Sequence, residues 1–214
     1  MSKLITTVAV IGIASVIGRS AGYFSARLLT SDNSGSSSVT ASETADSTAT
    51  SGNTSEIAIA TPATDSLLIE HRVFQTVQNA EYPEYILVFY ESGSRKLVQI
   101  NDETLFYKSA GYTLESVQNV DISQIYPGAE NFDFMTKEIT DEGDYIKYVL
   151  AFNNLENYNN LKSLDQTGLI VLDDGFTEGN YVNADTLCQS MIDNGSPELK
   201  LTEMPDSLTY TVNK

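Results

Sequence analysis

The sequence predicts an α+β fold: an antiparallel sheet, made of a meander plus a hairpin, with two or three short helices packed on it. A membrane helix or signal segment and a disordered linker precede that domain. Three observations carry the expectation. Short apolar runs recur at hairpin spacing, separated by clusters of Gly, Asn, Asp and Ser. Helix caps stand beside helical apolar spacing, while no alternating strand–helix rhythm supports a doubly wound sheet. Composition changes near residue 67, dividing the chain into residues 1–30, 31–66 and 67–214.

Residues 1–30 open with a positive charge at Lys3, and Leu4 to Gly18 carries none. A positive start followed by an apolar run is the secretory pattern. Ser20-Ala21-Gly22 and Phe24-Ser25-Ala26 offer small-residue cleavage points. The uncharged run is short for a spanning helix, which takes about 20 apolar residues. Arg19 can snorkel, however, and Ala21 to Leu29 adds apolar length. The segment is expected to be a signal peptide or an N-terminal membrane anchor, with the membrane met through residues 4–29. Two minor readings are a buried helix and an organelle presequence. The first has nothing to pack on, because a linker follows at once, and the second lacks an amphipathic pattern.

Residues 31–66 are dominated by Ser, Thr, Ala, Gly and Asp, with no aromatic residue and no Lys or Arg. Such a segment buries too little apolar surface to offset its ordering entropy, so it reads as a flexible linker. The Glu56-to-Ala60 run offers an edge strand at most.

Residues 67–214 hold the predicted extracytoplasmic domain, with nine basic against 24 acidic residues. His71 to Gln78 alternates, placing Val73 and Val77 on one side and Phe74 and Thr76 on the other. EYILVFYE, residues 84–91, is apolar in both alternations, which suits a strand covered on both faces or one bearing aromatics on an open face. ESGSRK at 91–96 is a turn, with Gly93 free to take a positive φ. Lys96 to Ile100 and Thr104 to Lys108 continue the meander, broken by Asn101-Asp102.

Leu114, Val117, Ile122 and Ile125 have helical spacing, stopped by Pro127-Gly128. Phe132 to Thr140 and Asp144 to Phe152 read as a hairpin turning at DEGD, residues 141–144. Leu155, Tyr158, Leu161 and Leu164 lie along one helical face, with Asn153 or Asn154 as cap. Gly168 to Leu172 is short and apolar. Residues 182–195 form the clearest helix. Asn183 caps it, Asp185 lies in its first turn, Asn194-Gly195 stops it, and Ala184, Leu187, Cys188, Met191 and Ile192 form its apolar face. Residues 207–212 are a last strand or a loose tail.

In this order, the meander, the capped helical region, the hairpin FDFMTKEITDEGDYIKYVLAF, the Leu-spaced helix and VNADTLCQSMIDNGSPELK resemble the YehR-like family of small bacterial lipoproteins. The resemblance spans roughly residues 73–200, and DEGDYIKY and the final capped helix carry most of it. It implies an envelope location and an α+β sheet domain, and no activity. The family usually bears a lipobox cysteine after its signal peptide, whereas this chain has no cysteine before Cys188. Any anchor must then be the protein segment itself.

The net charge is −17, a field that repels nucleic acid and anionic lipid, so no nucleic-acid partner is expected. Solubility explains the charge more simply than attraction of basic partners. With one cysteine, Cys188, there is no internal disulfide, and with one histidine, His71, a His/Cys zinc site is nearly excluded. Cys188 sits on an apolar helix face and reads as a buried inert thiol rather than a nucleophile. Asp173, Asp174 and Glu178 in LDDGFTEGNY have the residue types calcium takes, but not the spacing of a calcium loop. They read as a solvated turn. No G-x-S-x-G, H-E-x-x-H or phosphate-binding glycine loop occurs. Nine of the 12 tyrosines fall between residues 82 and 158, and they fit sheet cover better than a binding face.

These readings converge on a non-enzymatic, membrane-tethered accessory or binding domain of the bacterial cell envelope. It would lie on the extracytoplasmic face, or be secreted if the leader is cleaved. No catalytic, cofactor-binding or metal residue is expected. The rivals are an envelope hydrolase using paired carboxylates and a calcium-dependent adhesion or structural protein.

Overall fold

The computed structural model describes residues 68–212. The expected leader or anchor at 1–30 and the linker at 31–66, with its Glu56-to-Ala60 run, lie outside the described residues. Among the described residues no helix is long and apolar enough to cross a membrane.

Five strands form one antiparallel sheet: β1 (Ile69–Val77), β2 (Glu84–Glu91), β3 (Leu97–Tyr107), β4 (Met135–Asp141) and β5 (Tyr145–Phe152). Their order is β1-β2-β3-β5-β4. The meander and the hairpin are both present, and the hairpin joins the meander through its second strand, β5 on β3. Gly143, at φ 84, closes the hairpin, where the Asp141 carboxylate accepts from its N–H at 3.0 Å.

Among the described residues, three short α-helices, α1 (Leu114–Gln118), α2 (Tyr158–Gln166) and α3 (Ala184–Asp193), accompany the sheet. Val117, Leu161, Leu164, Leu187, Cys188 and Met191 from these helices join Phe74, Ile86, Val88, Ile100, Phe106, Ile146 and Leu150 from the sheet in one core. Val73, Tyr85, Leu87, Phe89 and Leu105 point to the opposite face and form a second, smaller core with Leu208. Both faces of β2 are therefore covered, which is why its sequence is apolar in both alternations.

Four local expectations are corrected. The polar residues Asn101-Asp102 do not break the meander, because β3 runs unbroken through them and all of Asn101, Asp102 and Glu103 are buried. Arg95, at φ 60, takes the left-handed position in the 91–96 turn, and Gly93 does not. The region 114–126 is not one helix: α1 ends at Gln118, and a separate 3-10 turn covers Ile122–Gln124. Asp121 caps that turn by accepting from the Ser123 N–H, and so competes with helix continuation. The cap of α2 is Asn157, not Asn153 or Asn154; Asn154 turns the chain at φ 52 and Asn153 is buried.

Asn183 caps α3 as expected, accepting from the N–H groups of Asp185 and Thr186 at 2.9 and 3.3 Å. Ile192, assigned to the apolar face of that helix, is 39 % exposed. Arg95 ties the β2–β3 turn to α3. Its guanidinium lies 4.1 Å over the Tyr90 ring and donates to Asp185 at 2.9 and 2.7 Å and to Glu70 at 2.9 Å. Arg72 forms a two-bond pair with Glu198. Residues 197–199 then close the outer edge of β1: Gln75 N–H donates to the Pro197 carbonyl at 3.1 Å, and Leu199 N–H to the Val73 carbonyl at 2.9 Å.

Candidate functional site

Two constellations in the sheet bear chemistry, and both are built on the polar run of β3. Alternation along a strand sends successive side chains to opposite faces. Asp102 and Thr104 therefore join Ile100 and Phe106 on the helix-covered face. Gln99, Asn101 and Glu103 lie on the back face with Leu105.

On the helix side, Asp102 is 5 % exposed and Glu84 is 4 % exposed. The register places Glu84 opposite Thr104 and Asp102 opposite Ile86, so the two acids are diagonal neighbours on adjacent strands. Tyr126 Oη donates to Asp102 Oδ2 at 2.6 Å, and Thr76 Oγ1 donates to Glu84 Oε1 at 2.7 Å. Burial first, and then the charge of Glu84, hold the Asp102 carboxyl well above the usual carboxylate range. Burial likewise raises Glu84. Tyr148 faces the same region from β5, opposite Thr104. Its hydroxyl is buried with no hydrogen-bond partner among the described residues, and burial and the nearby Asp102 charge raise its pKa. Two buried carboxyls without a paired cation favour keeping a proton between them, which makes this pair a monoanion rather than a dianion.

On the back face, the side chains of β3 form a hydrogen-bonded track. Gln99 Nε2 donates to Asn101 Oδ1 at 2.7 Å, and Asn101 Nδ2 donates to Glu103 Oε1 at 3.2 Å. The segment 205–212 lies along this track. Gln99 Nε2 donates to the Thr211 carbonyl at 3.2 Å, and Asn101 Nδ2 to the Thr209 carbonyl at 3.3 Å. Thr209 N–H donates to both oxygens of Glu103 at 3.1 Å. Lys147 Nζ, 3.4 Å from Glu103, donates to the Ser207 carbonyl at 2.6 Å. Leu208 fills the apolar part of the same face and is 5 % exposed. Residues 207–212 are thus neither a sheet strand nor a loose tail: side chains, not a neighbouring backbone, satisfy their main chain. Beside the turn that leads into this arm, His71, Leu201, Met204, Asp206 and Tyr210 line an open cavity of about 230 Å³. It is smaller than most small-molecule sites.

The residues weighed from sequence lie elsewhere. Cys188 is fully buried in the core, and its thiol is pushed up to about 12 by that burial. It lies on α3, while His71 lies on the back face between the rings of Phe89 and Tyr210, tilted 42° to each. Asp174 and Glu178 stay exposed on their loop, which Phe176 anchors by stacking on Tyr158. Among the described residues, no group of three or more His, Cys, Asp and Glu is placed to hold a metal ion. Tyr85, Tyr90, Tyr126 and Tyr148 are buried, and Tyr107 pairs with Tyr145 at 5.7 Å. The polar residues Asn101 to Thr104 of both constellations are consecutive in LVQINDETLFY between apolar ends, a pattern that reads locally as a break rather than as buried strand.

Comparison with known proteins found no matching family model, and no curated protein matches. Two solved structures are similar in outline. The NMR structure of the Escherichia coli YehR protein is 15 % identical, with a TM-score of 0.41, covering 64 % of this chain and 94 % of that one. The NMR structure of a protein from Streptococcus pneumoniae TIGR4 is 11 % identical, with a TM-score of 0.37, covering 77 % of this chain and all of that one.

Proposed function

We propose that this chain is a non-catalytic binding domain of the bacterial cell envelope, held at the extracytoplasmic face through residues 4–29 or secreted if that segment is cleaved. The observation that supports the binding role is the back-face track. Gln99, Asn101, Glu103 and Lys147 hold an extended main chain by hydrogen bonds to its carbonyl and N–H groups. The uncharged run from Leu4 to Gly18, followed by a Ser/Thr-rich segment, supports the location. Proteinase treatment of intact spheroplasts tests it. Digestion of the domain without lysis is expected, and a domain cut only after lysis overturns the location. N-terminal sequencing separates a retained anchor, starting at Met1 or Ser2, from a cleaved leader, starting near Arg27.

A second reading, an envelope hydrolase using paired carboxylates, draws support from Glu84 and Asp102, which the sheet brings side by side. It ranks below the first because both acids are almost wholly covered. A hydrolytic activity abolished by Glu84→Gln and by Asp102→Asn, in protein with an unchanged near-UV spectrum, would reverse the order.

A further inference from the structure

We propose that the back-face track is a docking groove for an extended segment of a protein partner, and that residues 205–212 are its resident occupant. The inference rests on the binding-domain reading above and names what that domain binds.

The groove recognises main chain rather than side chains. The carbonyls of Ser207, Thr209 and Thr211 all turn to the same side, and they meet donors on Lys147, Asn101 and Gln99. Alternate residues of an extended chain repeat every second position, as do Gln99, Asn101 and Glu103 along β3. The geometry therefore fits any extended segment and is indifferent to most of its sequence. Selection comes chiefly from the apolar positions at 208, 210 and 212. Leu208 enters the apolar half of the groove among Val73, Tyr85, Leu87, Phe89 and Leu105. Flanking residues need only be small, as Ser207 and Thr209 are. The fitting partner is an extended segment with apolar residues at alternate positions, as Leu208, Tyr210 and Val212 are, the first of them between small hydroxyl residues.

The occupant is held in a way that permits exchange. Its main chain makes no ladder pairing with a strand, and Leu208 is its one fully buried apolar side chain, with Tyr210 and Val212 packed partly against the same core. It is joined to the β1 edge through a surface turn at residues 200–204, where Leu201 is 82 % exposed. Tyr210 Oη donates to the Pro205 carbonyl at 2.7 Å and fastens the arm to itself. A partner segment competes with an arm tethered at high effective concentration, so its apparent affinity stays low until the arm is loosened.

A fluorescein-labelled peptide with the sequence of residues 205–212, PDSLTYTV, is the probe, titrated by anisotropy into the full-length protein. Leu208→Ala empties the apolar half of the groove in cis, and Tyr210→Phe loosens the arm without uncovering the core. Both are expected to bind the peptide at least tenfold more tightly than the unsubstituted protein. A peptide with Asp in place of Leu is expected not to bind, and adding Asn101→Ala to Tyr210→Phe should abolish the gain. Near-UV circular dichroism identifies variants that keep their fold. A folded Tyr210→Phe variant with no gain in affinity overturns the proposal. So does concentration-dependent self-association that saturates the groove, which would make the occupant a second copy of this chain. Failure here leaves the envelope location standing, and cytoplasmic location leaves the groove standing.

Discussion

Asp102→Asn should remove a specific pH dependence from the stability of this domain. Asp102 is buried beside Glu84, and its folded pKa lies well above its ordinary 3.8. A carboxyl raised on folding holds a proton that the unfolded chain has released. Its stabilising contribution is complete below 3.8 and declines as pH rises through the folded value. While one proton is retained, stability falls by about 1.4 kcal/mol for each pH unit. For each pH unit over which Asp102 keeps its proton, the unsubstituted protein should lose that amount relative to Asp102→Asn, which cannot titrate. For a domain of this size, each pH unit lowers the melting temperature by about 5 °C relative to the variant. The Asn side chain keeps an oxygen to accept from Tyr126 Oη, so the packing is preserved.

Groups outside the Glu84–Asp102 pair cancel in the comparison. Glu70, Asp121, Asp141 and Asp185 are lowered on folding by hydrogen bonds to Ser92, Ser123, Lys108 and Arg95 respectively. Their contribution is present above the ordinary carboxylate range and is lost as pH falls through the lowered values. Burial lowers His71, so its effect adds stability as pH rises to its ordinary 6.5, equally in both proteins. The assay is urea unfolding of both proteins between pH 4.5 and 8. Glu84→Gln should narrow the window, because it removes the charge that raises Asp102. Parallel stability profiles for the unsubstituted protein and Asp102→Asn would refute the assignment of a retained proton.

Three further outcomes follow from the same geometry. Asn183→Ala should cost about 1 kcal/mol in urea unfolding, because the cap of α3 accepts two backbone N–H groups. Arg95→Gly should be more stable than Arg95→Ala by about 1 kcal/mol, since both lose the same ion pairs and only Gly is at ease in a left-handed position. Equal melting temperatures would show that the turn carries no backbone strain. Cys188 should resist a thiol reagent at pH 8 until the protein unfolds, with labelling at the unfolding rate, because its thiol is buried and its pKa pushed up to about 12.

The elements most legible in the sequence are those determined by local rules. The β2 segment is apolar in both alternations, and it lies between two cores. The turn at Asp141 to Asp144 and the Asn183 cap are short-range hydrogen-bonding devices, so their residues alone define them. The α2 cap was harder to read because four Asn residues between 153 and 159 compete for one role. Only the path of the chain into the helix favours Asn157.

The sequence by itself determined an antiparallel α+β domain, a buried thiol position and the turn chemistry, because alternation and capping are local. Only the tertiary structure decided what Asn101, Asp102 and Glu103 do. Polar residues read locally as a loop, since exposed backbone is the ordinary reason for polarity. Here each is buried, and each is matched by a partner distant in the chain: Thr209 for Asn101 and Glu103, and Tyr126 for Asp102. Those partners become visible only when residues 205–212 cross the back of the sheet and the turn near Tyr126 closes over its front. Pairings over such sequence separations satisfy buried polar groups, and no local pattern encodes them.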